Sequence, residues 1–329
     1  MRKYLVHRLF QSIFALFGVS IVVFLIMHLG PGDPVLMLVP EDAPKETIAE
    51  VRREMGLDLP LHLQYLRFLR NAFTGKLYSY YRAGGALELV LDKVPATVEL
   101  ALAATIVSVL LGIPTGIIAA TRRGTIPDYL SNVVALFGIS TPNFWLGIML
   151  ILLFAETLQF LPSFGRGPAF IDALGQLLHG DVHPLVQSIK HIAMPAITLG
   201  TYYTAVMMRL MRTGILEEFG KGYVEAGRAK GLPEQIITYK HVFGNAVLSV
   251  VTVLGLQIGS LIGGSAITET VFAWPGAGQL LIDSIYVRDF PVVQAGILFA
   301  GLAFVFINLA VDVFYTVLDP RIRYEREMT

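Results

Sequence analysis

The residues best suited to chemistry lie between Arg209 and Asn245, a stretch dense in charge yet balanced. Glu217, Glu218, Glu225 and Glu234 stand there against Lys221, Arg228, Lys230 and Lys240. On a helix, Glu217 and Lys221 are spaced for i,i+4 pairing and Glu225 and Arg228 for i,i+3 pairing, with Phe219, Tyr223 and Ala226 on another face. Gly231 offers a left-handed cap and Pro233 cannot continue a helix, so the spacing predicts a helix from about Leu216 to Lys230 that stops sharply at Gly231-Leu232-Pro233. A helix of this kind often serves as a solvated connector. The order Glu225-Ala226-Gly227-Arg228-Ala229-Lys230-Gly231 offers more, because small residues between a glutamate and a glycine turn let another protein's surface approach closely. The chemistry on offer is docking, not bond breaking.

Other constellations are missing. Gly75-Lys76 and Gly220-Lys221 continue into Leu77 and Gly222, so the chain has no phosphate-cradling Gly-x4-Gly-Lys-Ser/Thr loop. Neither His-Glu-x-x-His nor Gly-x-Ser-x-Gly occurs. His179, Asp181 and His183 carry ligand atoms but read as exposed polar residues in a loop ended by Pro184. No catalytic residue, metal or cofactor is expected. With 25 basic and 25 acidic residues the net charge cancels, which gives no ground for a nucleic-acid partner. The absence of cysteine excludes disulfides and thiolate clusters.

The elements that must hold the charged loop are apolar. Of 329 residues, 54% are hydrophobic and 15% charged, with mean hydropathy +0.64, too little charge to cover a water-facing surface. Six stretches free of Asp, Glu, Lys and Arg run near Leu9 to Leu29, Leu100 to Ala120, Leu130 to Phe154, Ile192 to Met208, Ala246 to Thr268 and Val293 to Val311. The fourth reaches a bilayer's thickness only with its flanks. The expected fold is all-α, a polytopic membrane protein of six transmembrane helices. With the N-terminus inside, fourteen Lys and Arg face the cytoplasm, against Arg166, Lys190 and Arg288 in the short outer loops, so both termini are expected to be cytoplasmic.

The expected organisation is a tail and first helix over 1–30, an extracytoplasmic segment over 31–99, a five-helix core over 100–320 containing the loop 209–245, and a cytoplasmic tail over 321–329. Within the outer segment, Ile48, Val51 and Met55 share one helical face and Leu61, Tyr65, Leu69 and Phe73 another. These two amphipathic helices either rest on the membrane or cap the bundle, or else receive an outer partner. Pro114 and Ser140-Thr141-Pro142-Asn143 mark kinks in the second and third spans. Spans without ionisable groups argue against a standalone secondary carrier, which remains the alternative; a membrane enzyme is the third reading.

Glu225-Ala226-Gly227 followed by Gly231 resembles the Glu-Ala-Ala loop of permease subunits in binding-protein-dependent ABC importers. The resemblance extends to the peptide branch, the DppB/OppB-like permeases. Met55-Gly56-Leu57-Asp58, Pro95-Ala96-Thr97-Val98-Glu99-Leu100, Glu269 with Phe272, Pro275-Gly276 and Gly278, and Arg288-Asp289-Phe290-Pro291 with Asn308, Asp312, Tyr315 and Leu318-Asp319-Pro320-Arg321 all look like that branch. Gly227 stands where the general motif has its second Ala. The resemblance implies a type I ABC importer permease fold in a bacterial cytoplasmic membrane, working beside a second homologous permease, two ATP-binding subunits inside and a substrate-binding protein outside. It implies passage of peptides or a related small solute. Glu217, Lys221, Tyr223, Glu225, Ala226, Gly227, Arg228, Ala229 and Gly231 would then couple to the ATPase. Gly255, Gly259 and Gly263, spaced by four in the fifth span, serve either close packing within the bundle or the interface with the second permease. Gln257, Ser260, Gly264 and Thr268, with Asn143, would line the pathway.

Overall fold

A hydrocarbon solvent offers the backbone no partners, so spanning segments must satisfy their own N–H and C=O groups, and the chain is built almost wholly of helices. The computed structural model describes residues 2–29, 34–37, 39–40 and 42–318, with side chains for 10–25, 35–36, 39–40, 42–261, 263 and 265–311. Helix α1 (Arg2–Leu29) is followed by a 3-10 turn (Pro34–Met37) and the amphipathic α2 (Lys45–Met55) and α3 (Leu61–Phe73). A small hairpin, β1 (Tyr78–Ser79) antiparallel to β2 (Gly84–Gly85), feeds α4 (Ala86–Thr121). Then come α5 (Ile126–Ser140), α6 (Asn143–Leu150) with a π-helical continuation (Ile151–Thr157), α7 (Phe170–Leu178) and α8 (His183–Phe219). The short α9 (Gly222–Ala229) and α10 (Glu234–Ile236), the latter running through a π turn (Ile237–Val242), lead into α11 (Phe243–Gly264). The rest is α12 (Ala266–Val271), α13 (Ala277–Tyr286) and α14 (Phe290–Leu318).

The core sits around α8, which touches α4, α5, α6, α7 and α11. Its Met194, Leu199, Met207, Met208, Met211 and Ile215 are fully buried. Gly112, Gly116 and Gly200 let α4 and α8 approach closely. A Cβ at Gly116 would stand 2.7 Å from the Met208 carbonyl oxygen, and one at Gly200 would stand 2.8 Å from that of Ala104. Ser108 sits in the same seam, its Oγ donating to the carbonyls of Ala104 (2.7 Å) and Gly200 (3.2 Å).

By length and composition, α4, the segment Glu234–Leu261 and the segment Phe290–Val311 can each cross a membrane, and the bent α5–α6 pair makes a fourth if it is one span. The kink expected in the third span falls at Thr141-Pro142, and it is sharp, the two halves meeting at 105°. Pro142 disfavours helix at the residue before it, and Thr141 is extended (φ −85°, ψ 124°). At Pro114 the helix carries on to Thr121. The apolar run Ile192 to Met208 belongs to α8, which buries Ile192, Met194, Ala196, Leu199, Ala205, Met207 and Met208 against the rest of the chain, so its composition need not be as apolar as that of a helix with all sides exposed.

At the other end of the molecule α3 docks on α1. The hydroxyls of Ser20 and Tyr65 are 2.8 Å apart, and the Phe24 ring lies 5.2 Å from Tyr65 and 5.8 Å from Phe68. The buried face of α3 runs through Tyr65, Phe68, Leu69 and Ala72, whereas Leu61 and Phe73, expected on it, are exposed. Ser79 Oγ donates to Asp289 at 2.5 Å and ties the hairpin to the start of α14. Of the expected features, Asp319-Pro320-Arg321, Arg323 and Arg326 lie outside the described residues, as do the side chains of Arg2, Lys3, Arg8, Asp312 and Tyr315.

Candidate functional site

The charged loop folds differently from one continuous helix. α8 ends at Phe219, Gly220 caps it, and Lys221 is extended (φ −86°, ψ 146°) before α9 begins. Glycines on both sides of Lys221 make this the cheapest place to leave the helix. The break resets the helical phase, and both expected ion pairs move. Lys221 Nζ donates to Glu218 rather than Glu217 (2.5 Å), and Arg228 Nε donates to Glu234 rather than Glu225 (2.6 Å). The carboxylate beside Lys221 raises its pKa.

Two side chains fasten α9 to the bundle. Tyr223 Oη donates to Glu218 (2.7 Å), at the end of α8, and accepts from Asn245 Nδ2 (3.3 Å), at the start of α11. Burial pushes its phenol above the ordinary range, which keeps it a neutral donor. Val224 is 1% exposed and packs into the cluster formed by Met211, Ile215, Ile237, Val242 and Ala246. Sequence reasoning passed over Val224 because the phase of an unbroken helix grouped Phe219, Tyr223 and Ala226 on one face and left Val224 out of it. Its signal is being the one β-branched apolar residue among Gly222 to Lys230. Truncation to alanine should cost roughly 1–3 kcal/mol of local packing. A Val224→Ala chain in mild detergent is therefore expected to be cut by trypsin at Lys221, Arg228 and Lys230 several-fold faster than the native chain, and equal rates would show that Val224 does not hold α9.

The end of α9 follows the expectation. Gly231 is left-handed (φ 75°), its N–H bonds the Arg228 carbonyl (2.9 Å), and the Leu232 N–H bonds that of Gly227 (3.2 Å). A methyl at Gly227 would meet Leu232 and Ile237 at ordinary distances, so the chain's own packing does not require glycine there. The opposite face of α9, with Glu225, Ala226, Arg228, Ala229 and Lys230, is exposed, and the apolar Leu232, Ile236 and Tyr239 are exposed beside it.

The residues expected in the pathway do not converge on one open surface. Ser260 is exposed and accepts from Tyr203 Oη (3.2 Å). Gln257 is buried at 3%, its Nε2 3.5 Å from Ser108 Oγ and its Oε1 without a partner among the described residues. Thr268 is buried, Asn143 is half-buried at the start of α6, and Gly264 ends α11. The glycine stripe divides. A Cβ at Gly255 would stand 2.5 Å from Val311 Cγ2, and one at Gly259 would contact Ile307 and Phe304 at 3.5 Å, so α14 of the same chain already occupies that face. For these two glycines the close packing is internal, the first of the alternatives read from their spacing. Gly263 has open space.

A buried carboxylate organises the segment beyond α11. Glu269 is 0% exposed and accepts from Thr97 Oγ1 (2.9 Å), Ser265 Oγ (2.6 Å) and the Gln279 N–H (2.9 Å) at the start of α13. Trp274 Nε1 donates to the Ala96 carbonyl (2.8 Å), and Glu99 pairs with Arg166. The Pro95-to-Leu100 and Glu269-to-Gly278 motifs are thus two sides of one contact. A second buried carboxylate, Asp128, takes a two-pronged ion pair from Arg212 (2.8 and 3.0 Å) and a bond from the Gly124 N–H (3.0 Å), joining α5 to α8. Among the described residues no three metal-capable side chains come together, and Asp181 instead accepts the His183 N–H at 3.0 Å.

The described residues form a helical body with several apolar helices and a short helix, α9, tied to the end of α8 and the start of α11. The sequence matches the family described as binding-protein-dependent transport system inner membrane component over residues 112–324, and that family's N-terminal part over residues 1–101. The chain belongs to this family. It is 38% identical to the dipeptide transport system permease protein DppB of Alkalihalophilus pseudofirmus over 333 residues, covering 98% of this chain and 100% of that one. It is also 38% identical to the glutathione transport system permease protein GsiC of Escherichia coli O6:H1 over 326 residues, covering 99% and 100%. An inward-facing structure of the MetNI methionine ABC transporter shares the fold, with TM-score 0.53 and 20% identity over 70% of this chain and 96% of that one.

Proposed function

We propose that this chain forms half of the translocation pathway of an ATP-driven importer for di- or oligopeptides or a related small solute in a bacterial cytoplasmic membrane. Its companions are a second homologous permease, two ATP-binding subunits on the cytoplasmic face and an extracytoplasmic binding protein that delivers the solute. The six spans are α1, α4, the α5–α6 pair, α8, α10 with α11, and α14, both termini being cytoplasmic. The single observation that carries this reading is α9. One side is hydrogen-bonded to both α8 and α11 through Tyr223 and packed against them through Val224, and the other side is bare among the described residues. A cleft closing on that bare side moves two spans at once. Ser260, Gly264 and Asn143 would meet the solute, Gln257 and Thr268 would do so only after α11 shifts, and the open Gly263 would face the second permease. Liposomes holding the full set of subunits and internal ATP should accumulate a labelled dipeptide presented with its binding protein, and liposomes holding this chain alone should not. Accumulation by the chain alone under an ion gradient would overturn the reading in favour of a secondary carrier.

A further inference from the structure

Residues 158–169, between the π-helical end of α6 and the start of α7, have no regular secondary structure and run as a strap across the end of the bundle opposite α9. The strap is fixed on two sides. The Gly165 N–H bonds the Phe272 carbonyl (2.8 Å), just beyond α12, and a Cβ at Gly167 would stand 3.0 Å from the Gln187 carbonyl oxygen on α8. Between those points Arg166 pairs with Glu99 of α4, its guanidinium lying 5.9 Å from the centre of the buried Trp274 ring. One side chain thus joins α4 to the strap.

This pair is only half made. A guanidinium and a carboxylate can meet through two parallel bonds. Here Arg166 Nη2 donates to Glu99 Oε2, while Arg166 Nε and Glu99 Oε1 are shut off from solvent without a partner among the described residues. The pair of Asp128 and Arg212 is built differently. It is two-pronged, Asp128 accepts further bonds from the Gly124 N–H (3.0 Å) and Asn132 Nδ2 (2.8 Å), and none of its buried atoms lacks a partner. A buried ion pair with unmet bonds gains little net stability, because the desolvation of its charges is poorly offset, and water reaching the orphaned atoms would compensate for its separation.

We propose that Arg166 and Glu99 form a latch that closes this end of the permease and parts in each transport cycle, while the Asp128 and Arg212 pair stays made. The proposal rests on the importer reading above, whose orientation makes this the outer end. Glu269 and Trp274 keep α4 bonded to the segment after α11, so the parting line runs between that unit and the strap. It crosses one further hydrogen bond, from Gly165 to Phe272.

The test uses the complete transporter with its binding protein. Glu99→Gln should raise ATP hydrolysis in the absence of binding protein several-fold while leaving the unfolding temperature of the purified chain near that of wild type, and exchanging the charges (Glu99→Arg with Arg166→Glu) should bring the hydrolysis rate back down. A contact that only holds the fold would lower the unfolding temperature and leave the unstimulated rate unchanged, which would overturn the latch. Because the chain has no cysteine, a Glu99→Cys, Arg166→Cys pair can be bridged by a short reducible bis-thiol reagent. Bridging should stop uptake and reduction should restore it, and uptake undiminished by a bridge verified by mass would overturn the proposal. Should the cysteine pair fail to assemble, the Glu99→Gln measurement decides alone. A wild-type transporter that hydrolyses ATP without uptake would instead overturn the importer reading, and the latch with it.

Discussion

A Gly231→Val chain is expected to insert and assemble normally but to support uptake on the order of tenfold more slowly in the complete transporter. Nothing lies within 4 Å of a Cβ built at Gly231, so the penalty comes from the backbone alone. At φ 75° an L-residue pays about 1–2 kcal/mol, and a β-branched one more. The cheapest relief is to unwind the last turn of α9, which breaks the bonds from Gly231 to Arg228 and from Leu232 to Gly227 and swings the bare face out of register. One or two kcal/mol lost at α9 corresponds to roughly 5–30-fold in the population with α9 in place. Gly231→Asn supplies the control, because Asn tolerates the left-handed region and should retain most of the uptake. If valine and asparagine behave alike and close to wild type, the turn has no part in coupling.

The second large effect is expected at Glu269. Replacing it with alanine leaves Thr97, Ser265 and the Gln279 N–H facing an empty, buried space, and each orphaned donor costs about 1–3 kcal/mol. The total should be on the order of 3–5 kcal/mol, as for breaking other buried charged contacts. Glu269→Gln should be intermediate. It keeps an oxygen for the two hydroxyls but turns an amide N–H₂ toward the Gln279 N–H. Thermal unfolding of the purified chain in detergent would rank the three as wild type, glutamine, alanine. An alanine variant as stable as wild type would show that another contact holds α4 to the segment after α11.

Local information made part of this legible. Gly231 followed by Pro233 announces where α9 must stop, and the left-handed glycine is there. The helical, membrane-type body follows from the apolar runs. What spacing could not give was the break at Gly220, because pairing rules at i,i+3 and i,i+4 presuppose an unbroken helix. Once the chain turns at Lys221, Glu218 and Glu234 become the nearer partners. The role of Glu269 was hidden for a different reason. Its partner Thr97 is 172 residues away, and no period or cap signal links positions so distant. The 105° bend at Thr141-Pro142 was legible as a disturbance but not in its size, which depends on what α6 packs against, including Phe272 near Gly147.

The seam between α4 and α8 also limits which sequence changes can be repaired. At Gly116 and Gly200 an added methyl would collide with a main-chain oxygen, and no exchange of side chain on the facing helix removes a carbonyl. At Gly255 the collision is with the methyls of Val311, which a smaller residue would clear. Second-site suppressors are thus available for the contact between α11 and α14 and closed to the central one. Over evolutionary drift the first can wander in compensating pairs, while the second is fixed by geometry that mutation does not reach.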